Sequence, residues 1–240
     1  MLKHSVIFTR ITNSKIIAVL VIAWMLPMLN SCHYYKSSSN ISQGVIEYDI
    51  AYNNRSGRDF PIQFMPKTME MKFNKRYISY TIEDRLGLFS ISNIFNLLEK
   101  NHVTLVKVFN EKYAYMGSKN EVPLLFQSTS RYSIGFTHDT SRLAGILCNV
   151  ATISDDSTNE NFNVSYTSTI NIDEPNQNTP YNKINGILLD FKVQLKNLDM
   201  QLTARKVNDK TIDNDEFLVP NGYKYISRSK MEKIITSLLP

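Results

Sequence analysis

The sequence predicts a mostly β fold: a curved antiparallel sheet or half-open barrel, a short C-terminal helix and one candidate internal helix. Three observations lead to this fold class. Many segments alternate apolar and polar residues, the spacing of a strand with one buried face. The clearest is Ile187 to Leu195, where Leu189, Phe191 and Val193 alternate with polar residues. Short polar turns separate these segments, and near the C-terminus the apolar spacing changes to that of a helix.

The N-terminal segment has the three parts of a secretory signal. It carries basic residues and no acidic ones, then an apolar run from Ile16 to Leu29, then small or polar residues. Leu29-Asn30-Ser31-Cys32 resembles the bacterial lipobox, in which the cysteine becomes the new N-terminus. Residues 1–31 are therefore predicted to be a lipoprotein signal peptide.

The predicted lipidation site is Cys32. A thiolate there can be alkylated by a diacylglyceryl group, and further acylation, for example with palmitate, makes attachment to the membrane stable because each buried methylene contributes about 0.8 kcal/mol. The alternative is an uncleaved membrane-spanning helix. The 14 residues from Ile16 to Leu29 fall short of the roughly 20 apolar residues that a span needs.

Removal of the leader changes the charge of the chain. The formal net charge falls from +5 to +2, which gives little support to a nucleic-acid partner. The segment 32–43 is polar and rich in serine, and we expect a flexible tether. From the lipobox we expect a protein of the cell envelope, anchored by lipid to the outer membrane. No acidic cluster of the kind that marks surface export in some Bacteroidota lipoproteins follows Cys32, so we expect the domain to face the periplasm.

Strands are predicted through the first half of the domain, which we place at residues 44–240. They are Gly44 to Tyr52, Thr68 to Phe73, Arg76 to Glu83, His102 to Phe109 and Lys112 to Met116. Asn110-Glu111 predicts a hairpin turn because Asn tolerates a positive φ. Ile91, Ile94, Phe95 and Leu98 match a helical stripe, which predicts a helix over Asn93 to Lys100.

Strands resume in the second half after a loop over Gly117 to Ser130. They are Tyr132 to Thr137, Ile146 to Ser154, Asn161 to Ile170, Ile187 to Leu195 and Met200 to Val207. The last two are predicted to form an antiparallel pair. Ser229 and Glu232 match a capping box, and helical spacing of apolar residues follows, so a helix is predicted to begin there.

No residues with the spacing of a catalytic or metal site occur in the chain, so we expect no enzyme and no cofactor. Asp209, Asp213, Asp215 and Glu216 crowd a turn but lack the spacing of an EF-hand loop. Asp155, Asp156 and Glu160 are interpreted in the same way, and the four histidines are scattered. Cys148 has no partner once Cys32 is acylated, and we expect it to be buried as a small apolar side chain.

Asp156-Ser157-Thr158 resembles a short O-glycosylation sequon of Bacteroidota and falls in a predicted loop. Ser157 is therefore a candidate for modification, although matches of three residues arise often by chance.

Three stretches resemble a family of Bacteroidota envelope proteins of unknown function, the GLPGLI-type and related lipoproteins. They are Ala144 to Ala151, which matches an AGxxCxxA strand, Tyr166-Thr167 leading into Ile184 to Leu189, and Pro220 to Tyr223. In place of the family's name motif this chain reads Asn-Gly-Ile-Leu-Leu. The resemblance implies a fold like that of lipoprotein carriers, a curved antiparallel sheet partly closed around helices, and it brings no catalytic residues.

Two functions remain open. The domain is either a non-enzymatic module that binds an apolar or amphipathic ligand in its concave sheet, or a structural or assembly module that binds an envelope protein. A ligand-binding domain should hold an apolar cavity of about 300 Å³ or more, whereas an assembly module should be solid inside.

Overall fold

The structure is a computed structural model that describes residues 41–54, 65–126, 132–156, 159–195 and 198–238. All of them belong to one compact unit, Ser38–Pro240. The predicted leader, Cys32, most of the tether and Ser157 lie outside the described residues. Within the described part, no helix is both long and apolar enough to span a membrane.

The predicted fold class is confirmed, because the domain is one curved, unclosed sheet of twelve strands with one C-terminal helix. The strands are β1 Gly44–Asn54, β2 Thr68–Phe73, β3 Tyr77–Glu83, β4 Phe89–Asn96, β5 Asn101–Val108, β6 Glu111–Gly117, β7 Tyr132–Leu143, β8 Ile146–Asp155, β9 Glu160–Thr167, β10 Ile187–Leu195, β11 Leu198–Asn208 and β12 Lys224–Tyr225. The helix, α1, is Arg228–Leu238. Single 3-10 turns occur at Leu124–Phe126 and Asn214–Phe217.

The sheet consists of two antiparallel meanders joined in the middle. β1 to β6 follow one another, β7 to β11 follow one another, and β1 pairs with β11. The predicted pairing of β10 with β11 is confirmed. The short β12 adds to β6 in parallel. The two meanders are linked between β6, next to one edge of the sheet, and β7, at the other edge, and residues 118–126 of the link are described.

The inner face of the sheet carries the main core. Large side chains on the alternating apolar faces of β2, β3, β10 and β11 are all buried in one cluster: Met69, Met71, Tyr80, Phe191 and Met200. Tyr48 lies at its centre, where its hydroxyl donates to the carbonyl oxygen of Leu188 at 2.8 Å. The 3-10 turn Leu124–Phe126 and α1, through Met231 and Ile235, pack onto the same cluster.

The outer face of the first meander is also covered. Residues of the segment between β11 and β12, chiefly Ile212 and Phe217, form a second buried cluster with Val45, Ile94 and Leu105. This half of the sheet therefore has apolar residues on both faces.

The helix predicted over Asn93 to Lys100 is wrong. The residues to Asn96 belong to strand β4, and residues 97–100 form a turn. The physical reason is the coverage of both faces: Ile91 and Phe95 enter the inner cluster and Ile94 enters the outer one. Apolar residues on both sides of a strand imitated a helical stripe.

Two predicted element ends also need correction. The β5–β6 turn is Phe109-Asn110, and Phe109 rather than Asn110 adopts the positive φ, of 52°. Helix α1 begins at Arg228, and the hydroxyl of Ser227 accepts from the Lys230 amide at 3.4 Å. Glu232 binds the Arg228 side chain at 2.8 Å, so the capping box at Ser229 is wrong.

Candidate functional site

The two ends of the curved sheet are built differently. At the end where β1 begins, loop 168–186 contributes Ile170, Ile172, Tyr181 and Ile184 to the inner core. We call this the loop end. At the end where β1 finishes, the inner face opens into an apolar cavity, and we call this the cavity end.

The cavity has a volume of about 30 Å³. It is lined by Tyr52, Met65, Pro66, Ile82, Phe89, Ile91, Leu125, Leu198, Met200, Ile235 and Leu238. These residues come from β1, β3, β4 and β11, the segment just before β2, the 3-10 turn Leu124–Phe126 and α1. The lining is almost entirely carbon, so the cavity suits an apolar group and offers no catalytic side chain.

Exposed apolar side chains occupy the turns at the cavity end. Leu86 is 78% exposed and Phe109 is 66% exposed, while Leu88 is 43% exposed. The two turns are joined, because the Phe109 amide donates to the Leu88 carbonyl at 2.6 Å. We call Leu86, Leu88 and Phe109 the apolar rim.

One carboxylate holds the elements that cover the inner face. Glu121, in the segment that links the meanders, accepts from the Ser118 amide at 2.8 Å, from the Tyr115 hydroxyl at 2.7 Å and from the Arg228 guanidinium. Partial burial raises its pKa, but these hydrogen bonds outweigh burial and lower the pKa to about 2. Arg228 also binds Glu232, so Glu121 ties the sheet, the linking segment and α1 together.

His102 lies on the inner face beneath this group, fully buried. Its ring stands between Phe95 and Tyr115, at centroid distances of 6.1 and 6.4 Å. The ring lies over Gly117 of β6, where a Cβ atom would come within 2.0 Å of it. Burial lowers the pKa of the imidazole to about 4, against a smaller opposing effect of Glu121, so the side chain is neutral near pH 7.

The predicted burial of Cys148 is confirmed. Its side chain is completely buried in β8, and burial raises the pKa of the thiol. A protonated, inaccessible thiol is an apolar packing residue rather than a nucleophile. Cys32, the predicted lipidation site, lies outside the described residues and stays a prediction.

The acidic clusters do not assemble into a metal site in the described ranges, where no three His, Cys, Asp or Glu side chains come together to hold an ion. Glu216 instead pairs with Lys72 at 2.9 Å, and Asp155 is buried at the end of β8. Two clefts, of about 330 and 460 Å³, lie at the surface and have polar linings.

Sequence reasoning missed Asn93, His102 and Glu121. The strand of His102 was predicted, and His102, Thr104 and Val106 lie on its inner face, whereas Leu105 enters the outer cluster. What was not visible in the sequence was the register that places Asn93 opposite Thr104 and His102 opposite Gly117. Glu121 lies in a segment with no periodic pattern.

No family model matches the chain, and no curated protein matches it.

Proposed function

We propose that the chain is a lipid-anchored protein of the bacterial cell envelope whose domain binds an apolar or amphipathic ligand without catalysis. The observation that carries the binding part is the cavity end, where an apolar opening into the inner face lies at the same end of the sheet as the exposed apolar rim. Exposed apolar groups beside an apolar cavity are typical of binding sites.

The anchoring part rests on the Leu29-Asn30-Ser31-Cys32 motif. Cells that express the protein are labelled with palmitate, and the Cys32→Ala variant is compared with the parent. We expect the variant to lose both the label and its association with the membrane fraction. Equal labelling of parent and variant would contradict the anchor.

The size of the cavity sets how a ligand enters. About 30 Å³ is near the volume of one small group, whereas sites for small molecules measure roughly 300 to 1,000 Å³. A ligand of that size has to displace the covering elements, of which Leu125 and the last turn of α1 border the cavity directly. These contacts are apolar and non-directional, so a ligand can replace them at little cost.

Binding is tested by titration of the purified protein with a fluorescent fatty-acid analogue. Leu238→Glu places a charge at the border of the cavity, and we expect at least tenfold weaker binding. Leu98→Glu is the matched control, because Leu98 is equally apolar, 70% exposed and located at the loop end. Equal effects of the two substitutions, or no saturable binding by the parent, would contradict the ligand site.

The second candidate is an assembly module, and the small volume of the cavity favours it. Strand β7 ends the sheet, and the neighbouring side chains Phe136 and Leu147 are 59% and 54% exposed. An edge strand can accept a strand of a partner protein by main-chain hydrogen bonds. If Gly135→Pro abolishes recovery of one envelope protein that is crosslinked to the parent, while ligand titrations show no binding, this candidate replaces the first.

A further inference from the structure

Two neighbouring side chains on the inner face, Asn93 and His102, keep polar atoms without a protein partner. Both residues are completely buried. Asn93 Oδ1 accepts from the Thr104 hydroxyl at 2.8 Å, but Asn93 Nδ2 and both ring nitrogens of His102 have no hydrogen-bond partner among the described protein atoms. An unpaired buried polar atom costs roughly 1–3 kcal/mol, so three together call for an explanation.

The pair lies on the same face as the cavity and farther from the opening. Ile91 lines the cavity, and Asn93 follows two residues later on β4 with its side chain on the same side. Phe95 comes two residues further, and His102 pairs with it across β4 and β5. At about 3.3 Å per residue, the polar pair begins roughly 7 Å inward from Ile91.

The 3-10 turn Leu124–Phe126 lies over this part of the inner face. The Phe126 ring contacts Tyr80 and Phe95 at centroid distances of 5.4 and 6.1 Å, and Leu125 borders the cavity. Tyr80 pairs with Asn93 across β3 and β4. Two apolar side chains of the linking segment therefore cover this part of the inner face, Leu125 at the cavity and Phe126 beside the neighbours of the polar pair.

The chemistry of the pair selects an uncharged group. Asn93 Nδ2 donates, and a neutral imidazole offers one donor and one acceptor, a combination that matches a hydroxyl group. A carboxylate would have to be desolvated, and Arg228, the cation that acts on the His102 ring, is already paired with Glu121 and Glu232.

We propose that Asn93 and His102 form the head-group subsite for an amphipathic ligand that carries an uncharged hydroxyl, with its apolar chain directed past Ile91 to the cavity. This inference rests on the proposed ligand-binding function and names the ligand class. Leu125 and Phe126 occupy the place of the apolar chain in the ligand-free domain, and the ligand displaces them.

The test uses the protein purified from membranes in lipid nanodiscs, with thermal unfolding as the readout. The probes are 1-decanol, decanoate and decane, which share a chain length and differ at the head. We expect 1-decanol to stabilise the parent at a concentration at least tenfold lower than that needed for either other probe. Phe126→Ala should strengthen decanol binding tenfold or more, because it vacates space along the path. Ile212→Ala, which makes a cavity in the outer cluster, is the control and should leave the binding of decanol unchanged.

The head-group assignment is tested by Asn93→Leu and His102→Phe, each checked for native circular dichroism. Either variant should lose the preference for decanol over decane while it still binds both. If either folded variant keeps the preference, or if the parent and Phe126→Ala bind decanol and decanoate equally, the subsite is overturned. If His102→Phe fails to fold, Asn93→Leu alone decides the test. If both fail to fold, His102→Gln is used, and it should weaken the preference for decanol over decane.

The failure of this inference is distinct from the failure of the proposed function. Loss of binding in Leu238→Glu together with an unchanged decanol preference in Asn93→Leu leaves the cavity as a ligand site and removes the subsite. No binding of any probe by the parent or by Phe126→Ala removes both.

Discussion

The loop end and the cavity end of the sheet are closed by different kinds of interaction. At the loop end, polar side chains of loop 168–186 bind the turn between β4 and β5. Gln177 Nε2 donates to the Leu97 carbonyl at 3.0 Å, and Lys100 pairs with Glu174 at 2.9 Å. At the cavity end, the contacts around Leu125 and Leu238 are apolar, and Leu86, Leu88 and Phe109 are exposed.

The difference indicates which end is built to open. Hydrogen bonds to backbone carbonyls are directional, and a buried carbonyl that loses its partner destabilises the folded state. Apolar contacts have no such requirement, so a ligand's chain can replace a leucine side chain with little change in free energy. Substitutions at the loop end should thus lower the stability of the domain, whereas substitutions at the cavity end should change its stability little.

The largest effect is expected from Asn176→Ala at the loop end. Asn176 is buried, and its Nδ2 donates to the carbonyl oxygens of Ile184 and Gly186 at 2.7 and 2.8 Å. Removal of the donor leaves two carbonyls unpaired, and we expect a loss of about 3 to 4 kcal/mol in the free energy of unfolding. Urea denaturation measures it. Gln177→Ala, which removes one partly buried bond of 3.0 Å to a single carbonyl, should cost about 1 kcal/mol; equal losses would refute the ranking.

Gly117→Ala should destabilise the domain by about 3 kcal/mol, because its Cβ would come within 2.0 Å of the buried His102 ring. A double-mutant cycle with His102→Ala tests the cause. With the ring gone, the added methyl group has room, so the cost of Gly117→Ala should fall below about 1 kcal/mol. An undiminished cost would place the strain in the backbone instead.

Acid should weaken the folded state through His102. The folded imidazole has a pKa of about 4 against an ordinary value of 6.5, so the unfolded chain binds this proton first as the pH falls. The free energy of unfolding is therefore unaffected by this group above pH 6.5 and falls by about 3 kcal/mol as the pH drops to 4. The groups that act on the ring are Glu121 and Arg228, which are charged throughout this window. His102→Phe should flatten the dependence of unfolding free energy on pH between 6.5 and 4, and an equally steep profile would exclude His102 as its source.

The success of prediction from the sequence depended on how far apart in the chain the interacting residues lie. Local alternation located β2, β3 and β10, whose inner residues are all buried as expected. It failed for β4, because Ile94 packs on the outer face under a segment that begins more than a hundred residues later. The Asn93–His102 pair depends on the register between β4 and β5 and on the position of Phe126, which no local pattern encodes.

The smallest effect is expected at the cavity end, and its sign is opposite to the others. Phe109 is the first residue of a two-residue hairpin turn and has a φ of 52°, a conformation that glycine adopts without the steric cost of a side chain. Its ring is mostly exposed, so little packing is lost on removal. Phe109→Gly should therefore stabilise the domain by about 0.5 to 1 kcal/mol.

Phe109→Ala is the matched control, because it removes the ring but keeps the strained φ, and it should leave stability nearly unchanged. If the ring serves the proposed ligand site, both substitutions weaken binding of the fluorescent fatty-acid analogue by a similar factor, although only the glycine variant gains stability. A glycine variant that loses stability would mean that Phe109 is held by packing, and the cavity end would then be as fixed as the loop end.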